Sequence, residues 1–363
     1  SIIATPYVVE ITTFRKDGTY RDNRHPEQVF FTDRPEEDLA RRDFTVNAMA
    51  YGKEGELIDL FGGQSDLETK QIRCVGNPDV RFQEDALRIL RALRFASVLN
   101  FQISPETAAS LRRNTERIPA VSAERITAEL RSFLIGPGAG RLLREFPQVF
   151  STVMPGVNPT AEVCRAVDRA TKNFSVRMAL LLDPVLPPSE GDSAEKDILK
   201  ESAEGGAEKD MLKESAKDSA EDAFSFSLSH LRLTSKEKET ILSILKHRSL
   251  PPFSDAVSAR KALFRIGPEQ LPLLLDFFSA KGRSVAKEQA CLKTVIEQKD
   301  CYEIGMLSID GNRLQQLGCP SGPAVGQLLE ILLLQVMEEK TENTRSALEK
   351  AALKEIQNGT SQD

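Results

Sequence analysis

The sequence predicts an α+β protein, with a mixed β-sheet head over residues 1–76 and a chain that is helical from there on. Two observations predict it. Runs rich in Val, Ile, Thr, Tyr and Phe, broken by turn residues, fall before Gly76. Beyond Pro78, apolar residues recur every three or four positions, the spacing of amphipathic helices.

In order, YVVEITTFR (7–15) reads as a strand, KDG as a turn and QVFF as a second strand. RPEEDLARRDFTVNAMAYG (34–52) reads as a helix, with Glu36, Glu37 and Asp38 in its first part, where the helix dipole favours acids. ELIDLFGG (56–63) reads as a strand closed by a glycine turn, and QSDLETKQIRCVG (64–76) as a short helix and a strand. VRFQEDALRILRALRFASVLN (80–100) has helical spacing and can bury Ala86, Leu87, Leu90, Leu93 and Phe95. SPETAASLRRN and SAERITAELRSFLIG each set a serine and an acid before an apolar pattern, which is cap chemistry. Thr234 and Glu237 have the spacing of a capping box. Boundaries are expected near 76, 150 and 250, giving segments 1–76, 77–150, 151–250 and 251–363. Within 187–222, EKDILKESA recurs as EKDMLKESA, a charged low-complexity insert with too little apolar surface to form a core.

Net charge is −6, which argues against a protein that coats nucleic acid non-specifically. Its distribution is uneven: residues 81–144 hold eleven arginines, no lysines and six acids. Such a segment suits bidentate recognition of phosphates or base edges, or else forms a solvated helical surface. Five cysteines without a CxxC pair, and three scattered histidines, imply a reduced, cytoplasmic compartment and no zinc site. No membrane-spanning stretch is expected. The first residue is Ser1 and a strand follows almost at once, so either material was processed away or the chain is a fragment whose first strands are missing.

Four constellations carry candidate chemistry. Arg41, Arg42, Asp43 and Asn47 cluster in RRDFTVNAMA. Glu84, Asp85, Arg88, Arg91 and Arg94 recur at three and four residues, so an acceptor and a donor could face a nucleobase together, or the set could be intrahelical ion pairs. Glu124, Arg125 and Glu129 in ERITAEL could support that set or contact a ligand directly. Glu10 is a carboxylate in an apolar strand, costly unless it sits at an edge or in a site, while Asp59 before Gly62 and Gly63 reads as a hydrogen-bonded bend.

Together and in this order, EITTFR, EEDLARRDFTVNAMAY, LIDLFGGQSDL, VRFQEDALRILRALRFA and ERITAEL resemble the bacterial tRNA nucleotidyltransferase and poly(A) polymerase family, in its CCA-adding branch. LSIDGNRLQQLGCPSGPAVGQLLEILLLQV (307–336) resembles its tRNA-binding tail. The resemblance implies a nucleotidyltransferase head followed by helical neck, body and tail. It implies CMP and AMP addition from CTP and ATP to the tRNA 3′ end, with the acceptor and TΨC arm as partner. Arg41 and Arg42 would lie near the triphosphate and Asn47 near the ribose, with Asp85 and Arg88 reading C or A, and Arg91 and Arg94 beside them. Glu10 would support a Mg²⁺ centre, and the segment from Asp59 to Gly63, with Gly62 within it, would flex between head and neck. The family's metal-binding Asp-x-Asp would lie upstream of Ser1, so the metal ligands are not assigned and little transfer is expected from this chain alone. Poly(A) synthesis and a non-catalytic tRNA-binding fragment are the competing readings.

Overall fold

The computed structural model describes residues 2–4, 7–9, 11–18, 28–186 and 229–359. Glu10 and the 195–216 repeat lie outside the described residues, so the expectations placed on them are not addressed by it. Strands come in pairs: β1 (Ile2–Ala4) with β2 (Tyr7–Val9), β3 (Arg15–Asp17) with β4 (Val29–Phe31), and β5 (Met49–Tyr51) with β6 (Leu57–Asp59), all antiparallel. β7 (Gln71–Ile72) runs parallel to β8 (Gln102–Ile103). A small β-containing head followed by helices is therefore the architecture, as the periodicities require.

Three elements differ from the sequence reading. The run 7–15 is not one strand, because residues 11–14 have no regular structure and Lys16 and Asp17 belong to β3 rather than to a turn. The helix read over 34–52 is only α1 (Pro35–Ala40), which begins with proline at its first turn. Phe44 leaves it in extended conformation and bridges to Cys74, with its side chain fully buried. A single 3-10 turn (Thr45–Asn47) then leads into β5. Burial of Phe44 and pairing with Cys74 outweigh the helical preference of the alanines around them.

The third difference lies in 80–100. Two helices, α3 (Pro78–Glu84) and α4 (Leu87–Leu99), meet at Asp85, whose backbone is extended at φ −149°, ψ 106°. Between β6 and these helices, α2 (Gly63–Glu68) starts after Gly62, which holds the left-handed φ of 75°. Gly63 has no room for a side chain, since a Cβ there would lie 2.3 Å from the Thr45 carbonyl oxygen.

Then follow α5 (Pro105–Arg113) and α6 (Ala123–Leu134). Neither Ser104 nor Ser122 caps its helix through the side chain; Ser104 Oγ instead donates to Thr107 Oγ1 at 2.9 Å. Buried Ile89 and Leu93 of α4, with Leu130, Phe133 and Leu134 of α6, contribute to the core behind the site. The Thr234–Glu237 capping box forms as read, with Glu237 Oε2 accepting from the Thr234 N–H at 2.8 Å and Thr234 Oγ1 accepting from the Glu237 N–H at 3.2 Å.

The chain divides into two compact units, Ser1–Ile241 and Leu242–Asp363, the division falling inside helix Ser235–Lys246. The second unit has its own core, with Leu314, Leu332, Leu333, Met337, Leu348 and Ala352 fully buried.

Candidate functional site

The break at Asp85 creates the site. At the end of α3, Asp85 Oδ1 accepts from the Leu87 N–H at 3.0 Å, so its own side chain covers an otherwise unpartnered donor at the start of α4. Its other oxygen accepts from Arg125 Nη2 at 2.7 Å, joining α6 to the junction. Glu84 takes hydrogen bonds from Arg81, at 2.9 Å, and from Arg88. Arg88 then extends Nη2 to the Arg41 carbonyl at 3.3 Å, across to the segment that follows α1.

That segment supplies the opposite wall. Asp43 Oδ1 accepts from the Phe44 N–H at 2.9 Å and from Asn47 Nδ2 at 3.4 Å, while Oδ2 accepts from Arg91 Nε at 2.7 Å. Arg42 Nη1 donates to the Asn47 carbonyl at 2.9 Å, closing the turn on itself. Between the walls lies a cavity of about 550 Å³, lined by Arg41, Arg42, Arg88, Arg91 and Arg125, by Asp43, Asp85 and Asn47, and by Leu87 and Phe95. Five arginines against two aspartates give the space an excess of positive charge suited to an anion; Asp43 is held by Arg91 from the facing wall and Asp85 by Arg125.

The residues read from the sequence distribute unevenly around it. Glu129 stands behind α4, pairing with Arg94 and lying 3.8 Å from Arg91, so the ERITAEL acid supports the row from outside the cavity. Arg94 is not among the lining residues; its guanidinium lies 3.8 Å from the centre of the Phe95 ring. Glu124 is exposed and pairs with Arg232 at 3.0 Å, away from the other residues of the set. Asp59 closes the expected bend, accepting from the N–H groups of Gly63 at 2.8 Å and Gln64 at 2.9 Å. Burial acts to raise its pKa, but these backbone donors outweigh that and hold it below its ordinary value.

Asp38 and Phe95 were not read as site residues. Asp38 is buried, 4 % exposed, and accepts from Arg41 and Arg42 as well as from the Arg15 backbone N–H. Its three- and four-residue spacing to the two arginines was visible, but that spacing is common to solvent-exposed helix pairs. Burial acts against its charge, while the Arg41 hydrogen bonds, the Arg15 N–H and both guanidinium charges bring its pKa below the ordinary 3.8. Phe95 was assigned to the core, whereas it lines the cavity and lies against Phe44 with ring centres 5.8 Å apart.

A magnesium ion does not fit the carboxylates present here. Asp38, Asp43 and Asp85 are each committed to arginines, and among the described residues no three His, Cys, Asp or Glu side chains converge as metal ligands. Asp17 lies in β3, and no Asp-x-Asp pair occurs in the sequence.

Comparison with known proteins bears on this arrangement. Residues 1–73 match the family described as "Poly A polymerase head domain", residues 100–157 a "Probable RNA and SrmB- binding site of polymerase A", and residues 216–352 a tRNA nucleotidyltransferase domain 2. A CCA-adding enzyme of Lactobacillus gasseri is 30% identical over 352 residues, an alignment that covers 93% of this chain and 77% of that enzyme. The chain belongs to the bacterial CCA-adding tRNA nucleotidyltransferase family. A second CCA-adding enzyme, from Geobacillus thermodenitrificans, is 45% identical over 157 residues, 43% of this chain; there the chain spans only 39% of its relative's length. Among solved structures, the Bacillus stearothermophilus CCA-adding enzyme in complex with CTP superposes with a TM-score of 0.69 at 25% identity, covering 97% of this chain and 80% of that one. The small head and helical remainder are therefore the fold of the CCA-adding family.

Proposed function

We propose that the protein adds CMP and AMP, from CTP and ATP, to the 3′ end of tRNA, releasing pyrophosphate, and that the cavity at the α3–α4 break is its nucleotide pocket. The single observation that carries this is the placing of Asp85 and five arginines around one space. In this reading Arg41 and Arg42 bind triphosphate charge and Asn47 faces the ribose. Asp85, an acceptor, and Arg88 and Arg125, donors, meet the base edge: the exocyclic amine of C or A is a donor, and the neighbouring ring nitrogen an acceptor. Asp43 and Arg91 hold the Asn47 turn against α4, with Arg94, Glu84 and Glu129 fixing the arginine row from behind. Gly62 and Asp59 shape the turn into α2. The helical remainder takes the acceptor and TΨC arm of tRNA through backbone and 2′-OH contacts.

The family uses a divalent metal, and Mg²⁺ is proposed for the transfer step. Since no described carboxylate set fits it, binding rather than turnover is the discriminating measurement. A cytoplasmic setting goes with this reading, because all five cysteines are free thiols; among the described residues no helix is long and apolar enough to cross a membrane.

The test is equilibrium binding of the four nucleoside triphosphates and of tRNA lacking its terminal CCA. Wild type is expected to prefer CTP and ATP, and Asp85→Ala to lose that preference by about tenfold to a hundredfold, the worth of one bidentate base contact. Its tRNA affinity should change much less. An equal fall in tRNA affinity would remove Asp85 from base reading. Products ending at CCA, rather than in longer A-tails, separate this activity from poly(A) synthesis.

A further inference from the structure

Arg41 and Arg42 lie on the cavity wall, yet neither is placed there by its own helix, which ends at Ala40. Asp38 is the side chain that both of them share, while Arg42 is held as well by the Asn47 carbonyl at 2.9 Å. Asp38 Oδ1 accepts from Arg41 Nε at 3.0 Å and Nη2 at 2.6 Å, and its Oδ2 lies 3.4 Å from Arg42 Nη2. The same Oδ1 accepts from the Arg15 backbone N–H at 3.2 Å, while Arg41 Nε also donates to the Arg15 carbonyl at 3.1 Å. One buried carboxylate therefore ties two arginines to each other and to the edge of β3.

We propose that Asp38 is the positioning residue for phosphate recognition, setting Arg41 and Arg42 so that the pocket prefers a triphosphate to a monophosphate. The proposal rests on the nucleotide reading of the cavity. Asp38 is not a catalytic residue, because it is 4 % exposed and its oxygens are taken up by the two side chains and the backbone it holds. Two effects of removing it compete. Loss of a negative charge beside two arginines raises the positive potential and would strengthen triphosphate binding. Loss of the shared anchor loosens two long side chains, whose remaining bonds to the Arg15 and Asn47 carbonyls hold them less tightly, so part of their ordering must be met when the nucleotide binds, and this weakens it. Charge repulsion between the two guanidinium groups, no longer offset, adds to the second effect. The buried, multiply hydrogen-bonded geometry makes ordering the larger of the two.

The measurement is the ratio of CMP to CTP dissociation constants for wild type, Asp38→Asn and Asp38→Glu. A fraction of unfolded protein lowers both affinities alike, so the ratio reports on positioning and not on stability. Both variants are expected to lower the preference for CTP by about tenfold, with CMP affinity changed less than about twofold, because an arginine that must be ordered on binding gives up most of its contribution. The glutamate keeps the charge and moves it by one methylene, so a fall in that variant isolates geometry from charge. A preference unchanged in both variants, or raised in Asp38→Asn, overturns the proposal. A wild-type protein that binds CTP no better than CMP overturns the reading of the cavity itself, and the role of Asp38 with it.

Discussion

An aspartate in mid-helix points one carboxylate at solvent or at a neighbour four residues away, whereas Asp85 at a helix break covers a backbone N–H with one oxygen and holds Arg125 with the other. The sequence showed the residue and its arginine neighbours but placed them on one continuous helical face. The break comes from Asp85 itself, whose side chain competes for backbone donors and so favours helix starts over helix interiors. Asp38 was illegible for a different reason: its burial depends on β3 docking beside α1, a contact between residues 23 positions apart. Gly63 gives a test at the same scale. Gly63→Ala puts a Cβ against the Thr45 carbonyl oxygen and Met49, and is expected to lower stability by about 1–3 kcal/mol, the usual cost of overpacking. Urea denaturation measures it, and an unchanged midpoint would show that the turn can shift to make room.

Among elements, helix Ser235–Lys246 was the easiest to read, because its capping box is a local pattern of three-residue spacing. Its long-range partner was not readable. Arg131 of α6 donates to Glu237 Oε1 at 2.6 Å and Oε2 at 2.9 Å, so the capping glutamate also ties its helix to α6. The Arg131 hydrogen bonds are the largest cause that brings the Glu237 pKa from 4.5 to about 2, against a smaller contribution from burial that raises it. A depressed carboxylate stabilises the fold fully above its unfolded pKa and loses that contribution as pH falls through the folded one. Glu237→Gln is therefore expected to cost on the order of 1–2 kcal/mol at neutral pH, discounted for the partly exposed Arg131. The gap between variant and wild type should close as pH falls from about 4.5 towards 2, followed by denaturant titration at each pH. A gap constant over that range would mean that the charge of Glu237 contributes nothing.

At the scale of the molecule, helical periodicity foretold an α+β chain with a long helical remainder, but not where it divides. The sequence reading sets a boundary near residue 250; the compact units part between Ile241 and Leu242, within a helix that no change of composition marks. Each unit has its own buried core, so their stabilities should respond separately. Leu332→Ala, which empties a fully buried position in the second unit, is expected to cost that unit about 2–5 kcal/mol. Calorimetry should then show its transition lowered, while CTP affinity, which the proposed pocket assigns to the first unit, stays as in wild type. A parallel fall in CTP affinity would show that the two units are thermodynamically coupled.

The docking of Asp38 and Arg41 onto Arg15 has one more consequence. A strand edge with an unpaired N–H and C=O is a template on which a foreign chain can add. Here a side-chain carboxylate accepts from the Arg15 N–H and a guanidinium donates to its carbonyl, as a neighbouring strand would. The ion pair that ties two arginines of the cavity wall together also occupies the hydrogen-bonding positions through which edge-to-edge aggregation would start, so losing Asp38 is expected to open a growing point for aggregates as well as to loosen the proposed binding site.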